Sequence, residues 1–243
     1  MQDRTHETVP KTVFKTRVQG KQRTLSSEEI FKAKRIVVFA LPGAFTPTCS
    51  TAHLPRYEEL GPVFLKHGID AIYCLSVNDF YVMEAWAREH RLQHVKMLPD
   101  GNGDFTRDMG MLVDKRDAGL GERSWRYSML VEDGRIQKMY IEPEEPGDPY
   151  GVSDADTMLR HIAPKAELPR KAFIFTRDGC PYCREAKELL AENGFSFKEM
   201  SVGAQGMSGS VFETLTGRST TPQVYVEGRH LGGLDALRQF LLE

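Results

Sequence analysis

The chain has 243 residues, enough to bury one large core or two smaller ones. Apolar residues make up 40% and charged residues 27%, the balance of an ordinary globular protein. A net charge of −2 leaves no electrostatic footprint for nucleic acid or an anionic membrane, and no apolar run reaches the roughly 18 residues of a membrane span. The first residues, MQDRTHETVPKTVFKTRV, lack the apolar stretch of a secretory signal. Four cysteines, Cys49, Cys74, Cys180 and Cys183, are too few for a disulfide framework at this length. A reducing, cytoplasmic setting is therefore expected, where a Cys-x-x-Cys points to redox or metal chemistry.

In chain order, Ser26 followed by Glu29 has capping-box spacing and predicts a short helix. Ile36 to Leu41 is an unbroken apolar run, as in a strand buried on both faces, and Pro42-Gly43 ends it. From Cys49 to His67 apolar residues recur at helical spacing, with Pro55 and Pro62 predicting an interruption. IDAIYCLSV is the next buried strand, with Cys74 in its core. Asp79 to Glu89 reads as a helix with Phe80, Met83, Trp86 and Ala87 on one face, and VKMLPD as a short strand. The stretch from Ser124 to Pro143 is a hairpin turning at Asp133-Gly134. Ser153 is expected to cap a helix over DADTMLRHIA.

Residues 163–170 have two prolines, mixed charge and no apolar period, and read as a linker between domains at 1–162 and 171–243. The pattern then restarts. AFIFT is a strand, Cys180 to Asn193 a helix stopped by Gly194, and FSFKEM a strand. Ser210 to Thr216 is helical, QVYVEGRHL is a hairpin with a Glu-Gly turn, and Leu234 to Leu242 is the last helix.

Within PGAFTPTCS, Thr46 reads as an N-cap and Pro47 as the first helical residue, which puts Cys49 at the third. There the free backbone N–H groups and the helix dipole favour an anion, and the thiolate is the nucleophile. The competing reading is a buried cysteine in a strand-to-helix turn. The segment resembles the active-site stretch of peroxiredoxins, Pro-x-x-x-Thr-x-x-Cys, with Pro42, Thr46 and Cys49 at its three positions. With CLSVND and RYSMLVEDG, residues 1–162 resemble the type-5 class. The resemblance implies that Cys49 attacks a peroxide oxygen. A strand arginine, matched by Arg126, would donate to sulfur and oxygen, Thr46 would donate its hydroxyl to peroxide, and Pro42 would shield the thiolate. PGDPYGVSDADT carries no cysteine where some relatives hold a resolving thiol.

TRDGCPYCREAKELL reads as strand, turn and helix, with Cys180 just before the helix and Cys183 in its first turn. Half a zinc site is the alternative, but only His230 offers itself as a further ligand and no metal is expected. The segment resembles dithiol glutaredoxins, through Cys-Pro-Tyr-Cys and through Thr220-Thr221-Pro222 in place of Thr-Val-Pro. Pro222 is then the cis proline. The resemblance makes Cys180 and Cys183 catalytic. It makes Arg177, Tyr182, Thr221, Pro222, Gly233, Leu234 and Asp235 the glutathione contacts, with Gly232 beside them and Arg177 standing where the family has lysine.

Together the resemblances imply an α/β chain of two thioredoxin-like domains, each a mixed sheet flanked by helices. They imply a glutathione-dependent peroxidase for H2O2 and alkyl hydroperoxides, with glutathione as co-substrate and no bound cofactor. Self-association as a dimer or tetramer is expected by analogy, with neither nucleic acid nor membrane as partner. Two other readings stand beside it. One is a general deglutathionylating oxidoreductase, and the other is a sensor that signals through oxidation of Cys49.

Overall fold

The computed structural model describes residues 1–18, 21–203 and 206–242. The chain divides into two compact units, Met1–Ala166 and Glu167–Glu243. The division falls inside the stretch read as a linker, because Ala163 and Ala166 still pack on the first unit's core.

The first unit begins with an antiparallel hairpin, β1 (Val13–Val18) and β2 (Lys21–Ser26), for which sequence patterning gave no signal. The reason is visible in β2, KQRTLS, whose side chains lie largely in solvent and so carry no apolar alternation. The capping box forms as expected: the Glu29 N–H donates to Ser26 Oγ (3.2 Å) and the Ser26 N–H to Glu29 Oε2 (2.7 Å), starting α1 (Ser27–Phe31). The central strand β3 (Arg35–Ala40) follows. Its run is continuous because both faces are covered. Ile36, Val38 and Ala40 point into one core with Phe14, Phe31 and Phe105, while Val37, Phe39 and Leu41 point into the other with Tyr57, Phe64 and Trp86.

After β3 comes a π-helical turn, Cys49–His53, which runs into α2 (Leu54–Glu59) and then α3 (Gly61–Lys66). Pro55 and Pro62 each lie at a helix start, so the interruption they predicted falls at Leu60. The next elements are β4 (Ala71–Ser76), α4 (Phe80–Glu89), β5 (Val95–Pro99) and α5 (Asp104–Asp108). A two-stranded pair, β6 (Leu112–Asp114) and β7 (Glu122–Ser124), precedes the hairpin β8 (Tyr127–Glu132) and β9 (Arg135–Ile141). That hairpin starts three residues later than expected, since Ser124 belongs to β7. Its turn residues, Asp133 and Gly134, both have positive φ (46° and 73°). Helix α6 (Ala155–Ile162) is capped by Asp154, whose carboxylate accepts the Thr157 N–H, and not by Ser153. The Ser153 hydroxyl is taken by Glu142 instead (2.7 Å).

The main sheet has the order β5-β4-β3-β8-β9, parallel on one side of β3 and antiparallel on the other. The second unit repeats a smaller version. It contains β10 (Arg170–Thr176), α7 (Pro181–Glu192), β11 (Phe195–Ser201), α8 (Gly209–Thr216), β12 (Gln223–Val226), β13 (Arg229–Gly232) and α9 (Leu234–Leu242). Its sheet order is β11-β10-β12-β13, with β10 parallel to β11 and antiparallel to β12. No helix among the described residues is long and apolar enough to cross a membrane.

Phe39 lies fully buried at the centre of the first unit and stacks on Tyr57, with ring centroids 4.1 Å apart and planes 2° from parallel. Phe39→Ala should cost about 3–5 kcal/mol. Both tryptophans, Trp86 and Trp125, belong to this unit. Urea unfolding followed by their fluorescence reads its stability, and a midpoint close to the parental one would refute the estimate.

Candidate active site

Three segments of the first unit meet at one end of its sheet. The register pairs Ala40 with Tyr127 and Tyr127 with Ile141, so the segments after β3, before β8 and after β9 all emerge together. The segment after β3 is tied down through backbone groups. The Ala44 N–H donates to Asn78 Oδ1 (3.0 Å), and the Thr46 hydroxyl donates to the Gly43 carbonyl (2.9 Å). The Thr46 carbonyl accepts the Ser50 N–H (3.0 Å), which makes Thr46 the backbone N-cap that the sequence predicts, although its hydroxyl turns back instead of capping. Beyond it the regular α-turn expected at Cys49 is absent. The Leu54 N–H bonds to the Cys49 carbonyl, five residues back, and widens the turn. Cys49 is fully buried beneath it.

Arg126 lies in the gap between β7 and β8, not on a strand as expected, and is 1% exposed. Its NH2 group is 3.4 Å from Cys49 Sγ and 2.5 Å from both carboxylate oxygens of Asp148. Its NH1 group is 3.0 Å from His53 Nδ1. The guanidinium carbon stands 5.7 Å from the centre of the Tyr150 ring. Burial works against the positive charge, but Asp148 and the Cys49 sulfur outweigh it and hold Arg126 protonated. Burial and the facing Arg126 push His53 down to about 3, so its imidazole is neutral. Pro42 is buried and Thr46 is half-buried in the segment that leads to Cys49. Burial, reinforced by Cys49, pushes the Cys74 thiol well above its ordinary range, which fits the core role read from its strand.

Behind the arginine lies a carboxylate that sequence patterning did not single out. Glu142 is 1% exposed and accepts the backbone N–H groups of Gly151 (2.9 Å), Val152 (2.9 Å) and Ser153 (2.8 Å), as well as the Ser153 hydroxyl. Burial would raise its pKa, but these four donors win and hold it below the ordinary glutamate range. The Ser153 carbonyl in turn faces His53 Nε2 (3.2 Å) and accepts the Tyr57 hydroxyl (2.9 Å). His53, Glu142, Asp148 and Tyr150 therefore all belong to the site. Their sequence signal was faint, because Asp148 and Tyr150 fall in a polar, proline-rich stretch without periodicity and Glu142 reads as the end of a hairpin strand.

The second unit converges in the same way. Phe175 pairs with Gln223, and Val224 with Gly232. This brings the segment after β10, the segment before β12 and the start of α9 to one sheet end. Cys180 is the N-cap of α7 and forms a disulfide with Cys183, which is buried while Cys180 is partly exposed. Cys180 Sγ lies 3.2 Å from the Cys183 backbone nitrogen and 3.9 Å from the Thr221 carbonyl oxygen. The Thr221–Pro222 peptide is cis, as expected. Gly233 is close behind it, since a Cβ there would stand 3.7 Å from the Pro222 oxygen. Arg177 is exposed and Tyr182 is 63% exposed on α7, while Leu234 is buried. Asp235 is almost fully solvated and pairs with Arg238 (3.0 Å). His230 is engaged by Gln223 (2.8 Å).

The Redoxin family profile matches residues 5–159 and the Glutaredoxin profile residues 172–231. The chain is 51% identical to hybrid peroxiredoxin hyPrx5 of Haemophilus influenzae, over 96% of each protein. Among solved structures it resembles reduced Prx3 of Vibrio vulnificus in complex with hydrogen peroxide (TM-score 0.63, 34% identity), covering 66% of this chain and 99% of that one. It also resembles the 1-Cys peroxiredoxin antioxidant protein of Plasmodium falciparum (TM-score 0.64, 33% identity), with 66% and 99% covered.

The bonds to Glu142 set a pH dependence. Its folded-state pKa lies below the unfolded value of about 4.3, so its contribution is complete above that value and fades as pH falls through the folded one. Glu142→Gln should thus lower the urea midpoint of the first unit at pH 7, and the gap should narrow below about pH 4. A gap constant from pH 7 to pH 3 would contradict the assignment.

Proposed function

The chain belongs to the hybrid peroxiredoxins, a redoxin domain followed by a glutaredoxin domain on one polypeptide, and from that premise we propose that it is a glutathione-dependent thiol peroxidase. The observation that carries the proposal is the Arg126 NH2 group 3.4 Å from the buried sulfur of Cys49. A donor that cannot lose its charge stabilises the thiolate and is already aimed where charge develops on the peroxide oxygens.

In the proposed cycle the Cys49 thiolate attacks one peroxide oxygen. The O–O bond breaks, the distal fragment leaves as water or alcohol after taking a proton, and Cys49 becomes a sulfenic acid. Cys74 is buried in the sheet with its thiol held protonated, and the first unit's other cysteine is Cys49 itself. Resolution therefore falls to glutathione, whose thiol condenses with the sulfenic acid, expels water and leaves a Cys49–glutathione disulfide. The Cys180 thiolate attacks the glutathionyl sulfur and frees Cys49, and a second glutathione regenerates Cys180 and leaves as oxidised glutathione. The exposed rim of Arg177 and Tyr182, the Thr221–Pro222 edge and the Gly233–Asp235 start of α9 suit a small anionic thiol beside Cys180. The hydroperoxides are H2O2 and alkyl hydroperoxides.

Cys49→Ser should abolish peroxide consumption and leave the glutaredoxin reaction intact, and Arg126→Ala should slow Cys49 oxidation by about 10²–10³ in stopped flow. Peroxide turnover by the serine variant at the parental rate would defeat the reading. In the second unit, partly exposed Cys180 is reachable and buried Cys183 is not. Cys180→Ser should therefore lose most glutathione-supported turnover, and Cys183→Ser should keep about half or more. If both variants were equally inactive, a Cys180–Cys183 disulfide would be an obligatory intermediate and the monothiol route would be wrong.

A further inference from the structure

We infer that His53 is a positioning residue: a neutral imidazole, locked in one tautomer, that aims the Arg126 guanidinium at the Cys49 sulfur. The inference deepens the peroxidase reading and rests on Arg126 being the donor in that reaction.

The tautomer follows from the two partners. A guanidinium nitrogen has no lone pair to offer, so Arg126 NH1 must donate, and His53 Nδ1, 3.0 Å away, must be the bare acceptor. A backbone carbonyl can only accept, so His53 Nε2, 3.2 Å from the Ser153 oxygen, must carry the proton. Both bonds are satisfied together only by the neutral ring protonated at Nε2. Protonation would set two buried cations face to face, and burial and Arg126 together push the imidazole down to about 3. His53 is fully buried, and Phe39, Tyr57 and Tyr150 surround the ring with centroids 4.9, 5.5 and 5.0 Å away. It has no room to swing away.

The anchor is not floating. The Ser153 carbonyl is fixed because Glu142 takes the Ser153 N–H and hydroxyl, and because the Tyr57 hydroxyl also donates to that carbonyl. A chain of single-direction bonds thus runs from a buried carboxylate through the Ser153 carbonyl and the imidazole to the guanidinium. The other side of the guanidinium is held by Asp148, whose side chain is 39% exposed. Apart from the Cys49 sulfur at which it is aimed, Arg126 has two side-chain acceptors, and of these only His53 is wholly inside the protein. Cys49 and His53, four residues apart on the π-helical turn, face the same guanidinium.

Two substitutions separate the two ring nitrogens. Asn places its amide oxygen where Nδ1 stands and restores the acceptor for Arg126. Gln places a donor near Nε2 and restores the bond to Ser153 but leaves NH1 unmatched. In the full chain, His53→Gln should slow stopped-flow oxidation of Cys49 by H2O2 by about 10- to 100-fold, and His53→Asn should recover most of that loss. Rates equal in the two variants, or faster in Gln, would overturn the inference. If neither variant folds, 15N spectra of ring-labelled histidine in the unsubstituted protein decide. They should show His53 as the neutral form protonated at Nε2 from pH 5 to 8, and an imidazolium or an Nδ1–H form would refute it. Arg126→Ala in parallel distinguishes the levels. A slow Arg126→Ala with a fast His53→Gln sinks this inference alone, whereas a fast Arg126→Ala sinks the reading beneath it.

Discussion

The first unit is organised around a positive charge taken out of water. A guanidinium cannot escape burial by losing its proton, so acceptors or an aromatic face have to answer it, and in Arg126 they answer NH1 and NH2 while the buried Nε has no hydrogen-bond partner. For Arg126 those answers come from separate parts of the chain: a sulfur and an imidazole from the turn after β3, and a carboxylate and a ring from the segment after β9. The charge thereby ties together segments that the sheet only brings near one another. Removing one partner of such a group costs more than the pair contributes, because the charge stays behind. That asymmetry specifies one arrangement of the site and penalises its neighbours.

The two units reach their chemistry by the same topological device. In each, a thiol follows the central strand and opens a helical segment. In each, the element it faces precedes the antiparallel neighbour strand, Arg126 before β8 and Thr221–Pro222 before β12. What differs is the environment. Cys49 is sealed from solvent against a fixed cation, which suits a reaction that develops negative charge on small oxygens. Cys180 sits partly open at a helix N-cap beside a carbonyl, with solvated Tyr182 and Arg177 around it, which suits exchange with a thiol that arrives from outside.

Much of this was legible in the sequence where one physical cause dominated. The double-sided burial of Ile36 to Leu41, the capping box at Ser26 and the Asp133-Gly134 turn each leave a local mark, and each formed. Cys49, Arg126 and the Cys180–Cys183 pair were singled out by motif resemblance, and the structure brings Arg126 to Cys49 and pairs Cys180 with Cys183. Elements whose side chains face water left no such mark, as with β2. The helix cap at 153–154 was misassigned because serine and aspartate are equally good caps, and only the buried Glu142 decides which one is free. His53 was missed for a related reason. Its role depends on partners 73 and 100 residues away, and no window of sequence contains them.

The π-helical turn has an implication for how the chain can vary in length. Its closing bond spans five residues instead of four, so the segment from Cys49 to Leu54 carries one residue more than an α-turn would hold. Each residue of an α-helix turns its neighbours by about 100°. A deletion of one residue between Cys49 and Leu54 would restore ordinary helical bonding and improve the local backbone. The same deletion would keep the sulfur in register with the Leu54 and Tyr57 face, because the carbonyl and N–H that now bond across five residues would then bond across four. The surplus residue is thus taken up inside one wide turn, and a residue lost between Ser50 and Ala52 would leave the thiol facing the arginine, whereas the same loss within α2 would turn one part of that helix by about 100° against the other.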